Sequence, residues 1–152
     1  GMAIFCPNAN SYRRFQPGFF APITPNWGPN HRNLSIRIPL SDSDNVRIEH
    51  RAAGADANPY LVMACVLAGI HCGLNNKITP PEMISEREVI DPEVTLPVKW
   101  DKALDAFENA TILNEYLGNE YSDLFLRSRR CEMDRFTSQI SNKDFDWYLR
   151  TI

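Results

Sequence analysis

No glycine-rich phosphate loop, no Cys-x-x-Cys pair and no internal repeat occurs in this chain of 152 residues. The first absence leaves no sequence signal for a backbone cradle around a nucleotide's phosphates. The four cysteines, Cys6, Cys65, Cys72 and Cys131, also lack metal spacing with histidine. They read as small buried thiols in a reducing, cytosolic setting. The longest apolar run, "YLVMACVLAGIHCGL" at 60–74, is too short to span a bilayer and reads as a core helix. No signal peptide is recognisable, and Gly1 ahead of Met2 reads as an expression scar. Lysine is missing from residues 1–51, where all six basic groups are arginine.

What is present fits one domain able to bury its own core, with 43% hydrophobic and 23% charged residues. The net charge of −3 conceals an asymmetry: residues 1–51 carry +3 and residues 52–152 carry −6. Arginine is the side chain for forked recognition of carboxylate and phosphate. The arginine-only first third therefore favours an anionic ligand, although a basic protein-facing surface would have the same composition. The acidic whole, without aromatic platforms interleaved among the arginines, argues against nucleic acid.

Five prolines keep residues 1–33 loop-rich. "LSIRIPL" (34–40) and residues 46–52 alternate as strands, joined by the turn-forming "SDSDN", so an antiparallel hairpin is predicted. In the second strand Arg47, Glu49 and Arg51 occupy every second position and share one face, and in-phase pairing adds Arg37. Two readings follow from this spacing: a solvated face laced by weak ion pairs, or a site that grips an anion and keeps its carboxylate for a cation. Asn58 and Pro59 start a helix that runs to about Leu74 and is apolar nearly all round, so burial on most sides is expected, with His71 as a satisfied core histidine. Residues 78–99, with Pro80, Pro81, Pro92 and Pro97, read as an extended connection. Helices are expected at 101–109, 110–117 and 119–140, then in "KDFDWYLRTI". The stripe Tyr121, Leu124, Phe125, Cys131 and Phe136 reads as core and "RSRR" as a solvated face. The fold class is α+β, an antiparallel hairpin region followed by helices.

At "NANSYRRFQPGFFAP" (8–22), "NHRNLSIRIP" (30–39) and "RIEHRAAGADANPYL" (47–61) the sequence resembles the glutamine synthetase superfamily, type I-like. Three motifs in order carry the resemblance, which returns weakly in the tail. It implies that residues 1–152 are the carboxy-terminal portion of that catalytic domain. It implies an ATP-dependent ligase that phosphorylates the γ-carboxylate of glutamate and lets an amine displace the phosphate, with Mg²⁺ or Mn²⁺ as cofactor. By the resemblance Arg47 contacts ATP, Glu49 ligates the metal and Arg51 holds glutamate. Arg32 and Arg37 meet phosphate oxygens and substrate as catalytic groups, and Arg14 grips the substrate's carboxylate. Those roles make chemical sense, because phosphoryl transfer to a carboxylate brings two anions together and fixed positive charge lowers that barrier. A cytoplasmic, ring-shaped homo-oligomer with active sites shared between subunits is also implied.

The departures shape the expectation. The family's ATP signature, its metal-binding histidine and its amino-terminal domain would lie upstream of residue 1, so the chain is expected to be a fragment, inactive alone and associating through open strand edges. "SDSDN" lacks a family lysine, and the adenylylated tyrosine segment is not recognisable in 78–117. Where ammonium users carry the glutamate that binds ammonium and takes its proton, this chain has Phe20. With Gly28 where those enzymes commonly carry serine, this resembles γ-glutamyl-polyamine and γ-glutamyl-alkylamine synthetases. The alternative is a non-catalytic fragment or pseudoenzyme that keeps the fold and binds only anions or full-length subunits.

Overall fold

A computed structural model describes residues 1–16, 19–85 and 94–150. Pro17, Gly18 and Pro92 of the segments discussed above, and the last two residues of the tail, lie outside the described residues. Side-chain capping fixes several helix starts. Asn8 accepts from the amides of Asn10 and Ser11 to open α2 (Ala9–Tyr12). Asn58 accepts from Tyr60 and Leu61, with Pro59 in the first turn, to open α3 (Pro59–Asn75). Each such cap satisfies amides that have no partner inside the helix. A short α1 (Met2–Phe5) precedes these, and α4 (Trp100–Glu108), α5 (Thr111–Leu117), α6 (Asn119–Thr137) and α7 (Asn142–Tyr148) follow. Gly118, at φ 84, takes the left-handed turn that separates α5 from α6.

The core forms where α1 meets α4. Trp100, Ala103, Leu104 and Phe107 fall on one face of α4 and bury against Met2, Ala3 and Ile4, with Cys6, Ala52 and Cys65 alongside. Burial raises the Cys6 thiol to about 11, and its Sγ donates to the carbonyl of Ala52, so it packs as a protonated thiol. Phe125 of α6 sets its ring 5.1 Å from that of Phe107. Arg130 ties α6 to α4 through Asp105 at 3.1 Å and Glu108 at 2.6 Å. The last arginine of "RSRR" is thus an inter-helix clamp, while Arg127 and Arg129 pair along α6 itself with Asp123 and Glu132.

The sheet is mixed and has three strands in the order β1-β2-β3. β2 (Ile36–Ile38) and β3 (Glu49–His50) pair antiparallel as expected, but both are shorter than the alternating pattern, and Ser43–Asn45 of the connection winds into a 3₁₀ turn. Alternation extends into residues 46–48 without strand pairing, because Val46 and Ile48 find no partner face and stay exposed. β1 (Trp27–Pro29), within the proline-rich region read as loop, pairs parallel with β2. Such a ladder ordinarily needs a crossover of a dozen or more residues. Here the chain turns back through Asn30, at φ 53.

Several burial expectations are corrected. The far side of α3 is exposed, and His71 lies on the surface, its Nδ1 bonded to the hydroxyl of Tyr116. Cys131 is exposed, unlike the other three cysteines. Leu124 and Phe136 of the α6 stripe are exposed, and so are Phe145, Trp147, Tyr148 and Leu149 of the tail. Periodicity identified those helices but could not say which of them lacks a facing surface. Among the described residues no helix is long and apolar enough to cross a membrane.

Because Phe107 is buried at the junction of α1, α4 and α6, Phe107→Ala is expected to cost about 3–5 kcal/mol. Exposed Leu124→Ala should stay within about 0.5 kcal/mol. Urea unfolding followed by circular dichroism measures both, and equal losses would place the core elsewhere.

Candidate active site at the arginine-rich sheet face

Register brings the charges together. Arg37 stands directly opposite Glu49 across β2 and β3, so the two side chains leave the same face. Nε and Nη2 of Arg37 both reach Oε2 of Glu49, at 2.8 and 2.6 Å. Nη2 of Arg47 approaches Oε1 at 3.5 Å. The backbone amide of Arg51 donates to the carbonyl of Ser35 and continues the ladder, while its Nη1 is buried without a partner. Burial, then Arg37, hold the Arg51 guanidinium below its ordinary value; Glu49 opposes the shift, and Arg14 and Arg32 add further repulsion. Arginine therefore outnumbers carboxylate around Arg51, and an anion would relieve that excess.

Arg14 does something different from gripping a free ligand. Its Nη1 donates to the carbonyl of Ala53 at 3.1 Å, and its Nη2 donates to those of Arg51 and Ala52 at 2.9 and 2.6 Å. Only its Nε is buried without a partner. The motif around it is organised in the same way: Asn8 and Ser11 form a capping box, and the Ser11 hydroxyl donates to Asp56.

Phe20 stands apart from the glutamate-centred cluster but meets Arg32, whose guanidinium carbon lies 5.9 Å from the ring centroid. Together with Asn30, His31 and Asn33 they line an open cleft of about 360 Å³. Both Phe20 and Asn30 adopt left-handed backbone, at φ 51 and φ 53. A phenylalanine there costs about 1–3 kcal/mol, a kind of strain that gathers at functional sites. His31, Asn30 and Asn33 were not singled out from sequence, although they sit inside the motif that drew attention to Arg32; polar loop residues carry no periodicity to expose them. Gly28 has a packing reason of its own: a Cβ there would fall 2.1 Å from the carbonyl oxygen of Ile84. Its value as a marker of amine choice is correspondingly lower.

Residues 1–148 match the family described as glutamine synthetase, catalytic domain. The chain belongs to the glutamine synthetase family. It is 39% identical to the gamma-glutamylputrescine synthetase of Escherichia coli K12, over 98% of this chain and 32% of that protein. It is 32% identical to the gamma-glutamylethanolamide synthetase of Streptomyces coelicolor, over 97% of this chain and 31% of that one. The glutamine synthetase of Methanocaldococcus jannaschii is also 32% identical, with 34% of its length covered. A structure of GmaS without ligand superposes with a TM-score of 0.82 at 27% identity, over 98% of this chain and 34% of that one. The chain thus spans about a third of the length of the relatives it matches.

The glutamine synthetase fold uses divalent metal, and the test for this chain is its donor set. Among the described residues no group of three or more histidine, cysteine or acidic side chains converges. Glu49 offers one carboxylate, with Oε2 held by Arg37 and Oε1 more loosely approached by Arg47. Mg²⁺ is usually held by one or two carboxylates together with water and phosphate oxygens, so Glu49 fits as one ligand but needs others beside it. The described residues therefore do not by themselves make a metal site.

His50 yields a pH test. Its Nδ1 is buried without a partner and its ring lies 4.4 Å from that of Phe5. Burial first, then Arg14 and the amino terminus, hold its pKa below the ordinary 6.5. The unfolded chain takes up this proton first, so stability from this group is complete above 6.5 and is lost as pH falls towards the lower folded value. His50→Phe is expected to shrink the drop in melting temperature between neutral and mildly acidic buffer, and an unchanged drop would assign it to the carboxylates.

Proposed function

We propose that this chain is the carboxy-terminal part of the catalytic domain of a cytoplasmic, ATP-dependent glutamate–amine ligase that prefers an organic amine, of the γ-glutamyl-polyamine or γ-glutamyl-alkylamine kind, to ammonium. The cleft at Phe20 carries this reading: its lining residues include a phenyl ring, an imidazole, a guanidinium and two amides, but no carboxylate. Phe20 itself can neither pair with ammonium nor take its proton, and its ring offers apolar surface to the carbon chain of an alkylamine. The names of the relatives from E. coli and S. coelicolor, which are amine-specific synthetases, point the same way.

In this reading Arg51 holds the carboxylate of glutamate and Arg47 contacts ATP. Arg32 and Arg37 set positive charge beside phosphate oxygens, lowering the repulsion between two approaching anions. Glu49 supplies one oxygen towards Mg²⁺ or Mn²⁺, whose chemistry is to neutralise phosphate charge; the other ligands come from parts of the family's domain outside these residues. Arg14 acts through the carbonyls it holds, positioning the end of β3 beneath Arg51. The complete enzyme is a ring-shaped homo-oligomer in which neighbouring subunits complete each site. The second reading, a non-catalytic anion binder, is favoured for the isolated chain by its lack of a convergent metal-binding group among the described residues.

The test replaces the matching third of the E. coli gamma-glutamylputrescine synthetase with this chain and follows ADP release with ammonium, ethylamine, ethanolamine and putrescine. An organic amine should give the highest kcat/KM, and Phe20→Glu should shift the ratio towards ammonium by on the order of tenfold or more. Ammonium as the best substrate of the unaltered chimera would refute the amine assignment. In the same chimera Glu49→Ala should abolish turnover. Arg51→Ala should raise the glutamate requirement by about tenfold or more, the loss of a charge-assisted contact. The 152 residues alone should show no glutamate-stimulated ATP hydrolysis.

A further inference from the structure

A cleft of about 250 Å³ lies among the end of α4, α5 and the first turns of α6. Phe107 and Leu126 give it apolar wall, and Glu108, Asn114, Ser122 and Asp123 give it oxygen. None of the residues placed in the ligase chemistry above belongs to these three helices, so the cleft is a second place on the molecule.

Two of its oxygens lack a partner. Ser122 is only 5% exposed, yet its Oγ is buried without a hydrogen bond, and so is Oδ1 of Asn114. Buried polar atoms are nearly always paired, and orphans on residues that line a cleft mark where a ligand's donors would sit. The two carboxylates are half committed. Oε2 of Glu108 takes Arg130 at 2.6 Å, and Oδ1 of Asp123 takes Arg127 at 2.9 Å. Among the described residues, Oε1 of Glu108 and Oδ2 of Asp123 accept nothing.

The sign of the ligand follows from what faces the cleft. All four unfilled oxygens can accept, and those of Asn114 and the carboxylates can do nothing else. An anion would meet two acidic side chains. α4 ends at Glu108 and so presents its negative end here, while the positive end of α6 is already met by Glu120 in its first turn and by Asp123 behind it. A bare divalent metal is poorly served, because each carboxylate is shared with an arginine and no group of three histidine, cysteine or acidic side chains converges among the described residues. A primary ammonium group carries three donors and no acceptor. Asn114 Oδ1, Ser122 Oγ and one carboxylate oxygen match those donors in number and kind. Phe107 and Leu126 then lie against the carbon chain behind the nitrogen, as apolar surface does along the stem of a lysine.

We propose that the cleft among α4, α5 and α6 binds the ammonium head of a primary alkylamine through Asn114, Ser122, Glu108 and Asp123. It is separate from the ligase site and stands whichever amine the parent enzyme uses.

The experiment titrates the ¹⁵N-labelled chain with butylamine at neutral pH and constant ionic strength, following backbone amides by NMR. Ammonium chloride, 1-butanol and magnesium chloride are parallel titrants. Butylamine should give saturable shifts at Asn114, Ser122 and Asp123. Ammonium, which lacks the chain, should bind about fivefold more weakly or worse, and butanol, which lacks the charge, about tenfold more weakly or worse. Asp123→Asn should weaken butylamine by about tenfold; its pair with Arg127 is exposed, so the melting temperature of the free chain should hardly move. Ser122→Ala should also weaken binding while leaving the free chain as stable as before or more so, since it removes an unpaired buried hydroxyl. The proposal is overturned if butylamine gives no saturable shift, which is the outcome if water alone fills the cleft, or if shifts appear only around Phe20. Equal shifts from butanol or magnesium overturn it too, as does unchanged affinity in both variants.

Discussion

The guanidinium of Arg14, spread over the carbonyls of Arg51, Ala52 and Ala53, joins the parts of this chain that would otherwise have little to hold them in place. On one side it belongs to the capped turn that follows α1, and through α1 to the apolar core against α4. On the other it fixes the end of β3, a strand only two residues long. Three backbone acceptors on one fixed cation are stronger than three neutral contacts. They leave Arg51 with its ladder bond to Ser35 and its side chain aimed into the charged face. The placement of Glu49 opposite Arg37 follows from that fixed register.

This arrangement shows why a cluster of arginines survives around a single carboxylate. Each guanidinium is tied by something other than its like-charged neighbours: Arg14 by carbonyls, Arg37 by Glu49, Arg47 by Glu49 and the carbonyl of Asn45. Arg51 is the exception, and its buried Nη1 has no partner. The cluster is thus asymmetric: three guanidiniums already have partners within the chain, while Arg51 keeps a buried donor that a ligand can satisfy. The strain at Phe20 and Asn30 lies at a separate cleft, reached through Arg32.

The hairpin, α3 and the helices after residue 100 were legible because each depends on local pattern: alternation in 34–40 and 46–52, Asn58-Pro59 as a start signal, and apolar spacing in 100–107. The pairing of Arg37 with Glu49 could be anticipated from period and turn length alone. β1 could not, because three residues beside proline carry no alternation and their pairing depends on a left-handed Asn30. The true work of Arg14 was hidden as well, since a motif identifies an arginine but not whether carbonyls or ligand will take its donors. The exposed stripe of α3 was misjudged for a different reason. Composition reports that a helix wants burial, and only the fold reports whether this chain has enough surface to provide it.

The connection after α3 has an effect beyond its own path. The amide of Ile84 donates to the carbonyl of Trp27, and the Trp27 indole donates to the carbonyl of Pro81, so the outer side of β1 is occupied by the chain itself. Gly28 is what lets that segment lie so close. Among the described residues the sheet then has one uncovered edge strand, β3, rather than two. Pairing through it joins at most two copies and ends there, because neither copy retains a second edge to pass on. A molecule with both edges free could instead extend without limit into fibres. The absence of a Cβ at one residue therefore does more than accommodate packing: it lets the chain itself cover the outer side of β1.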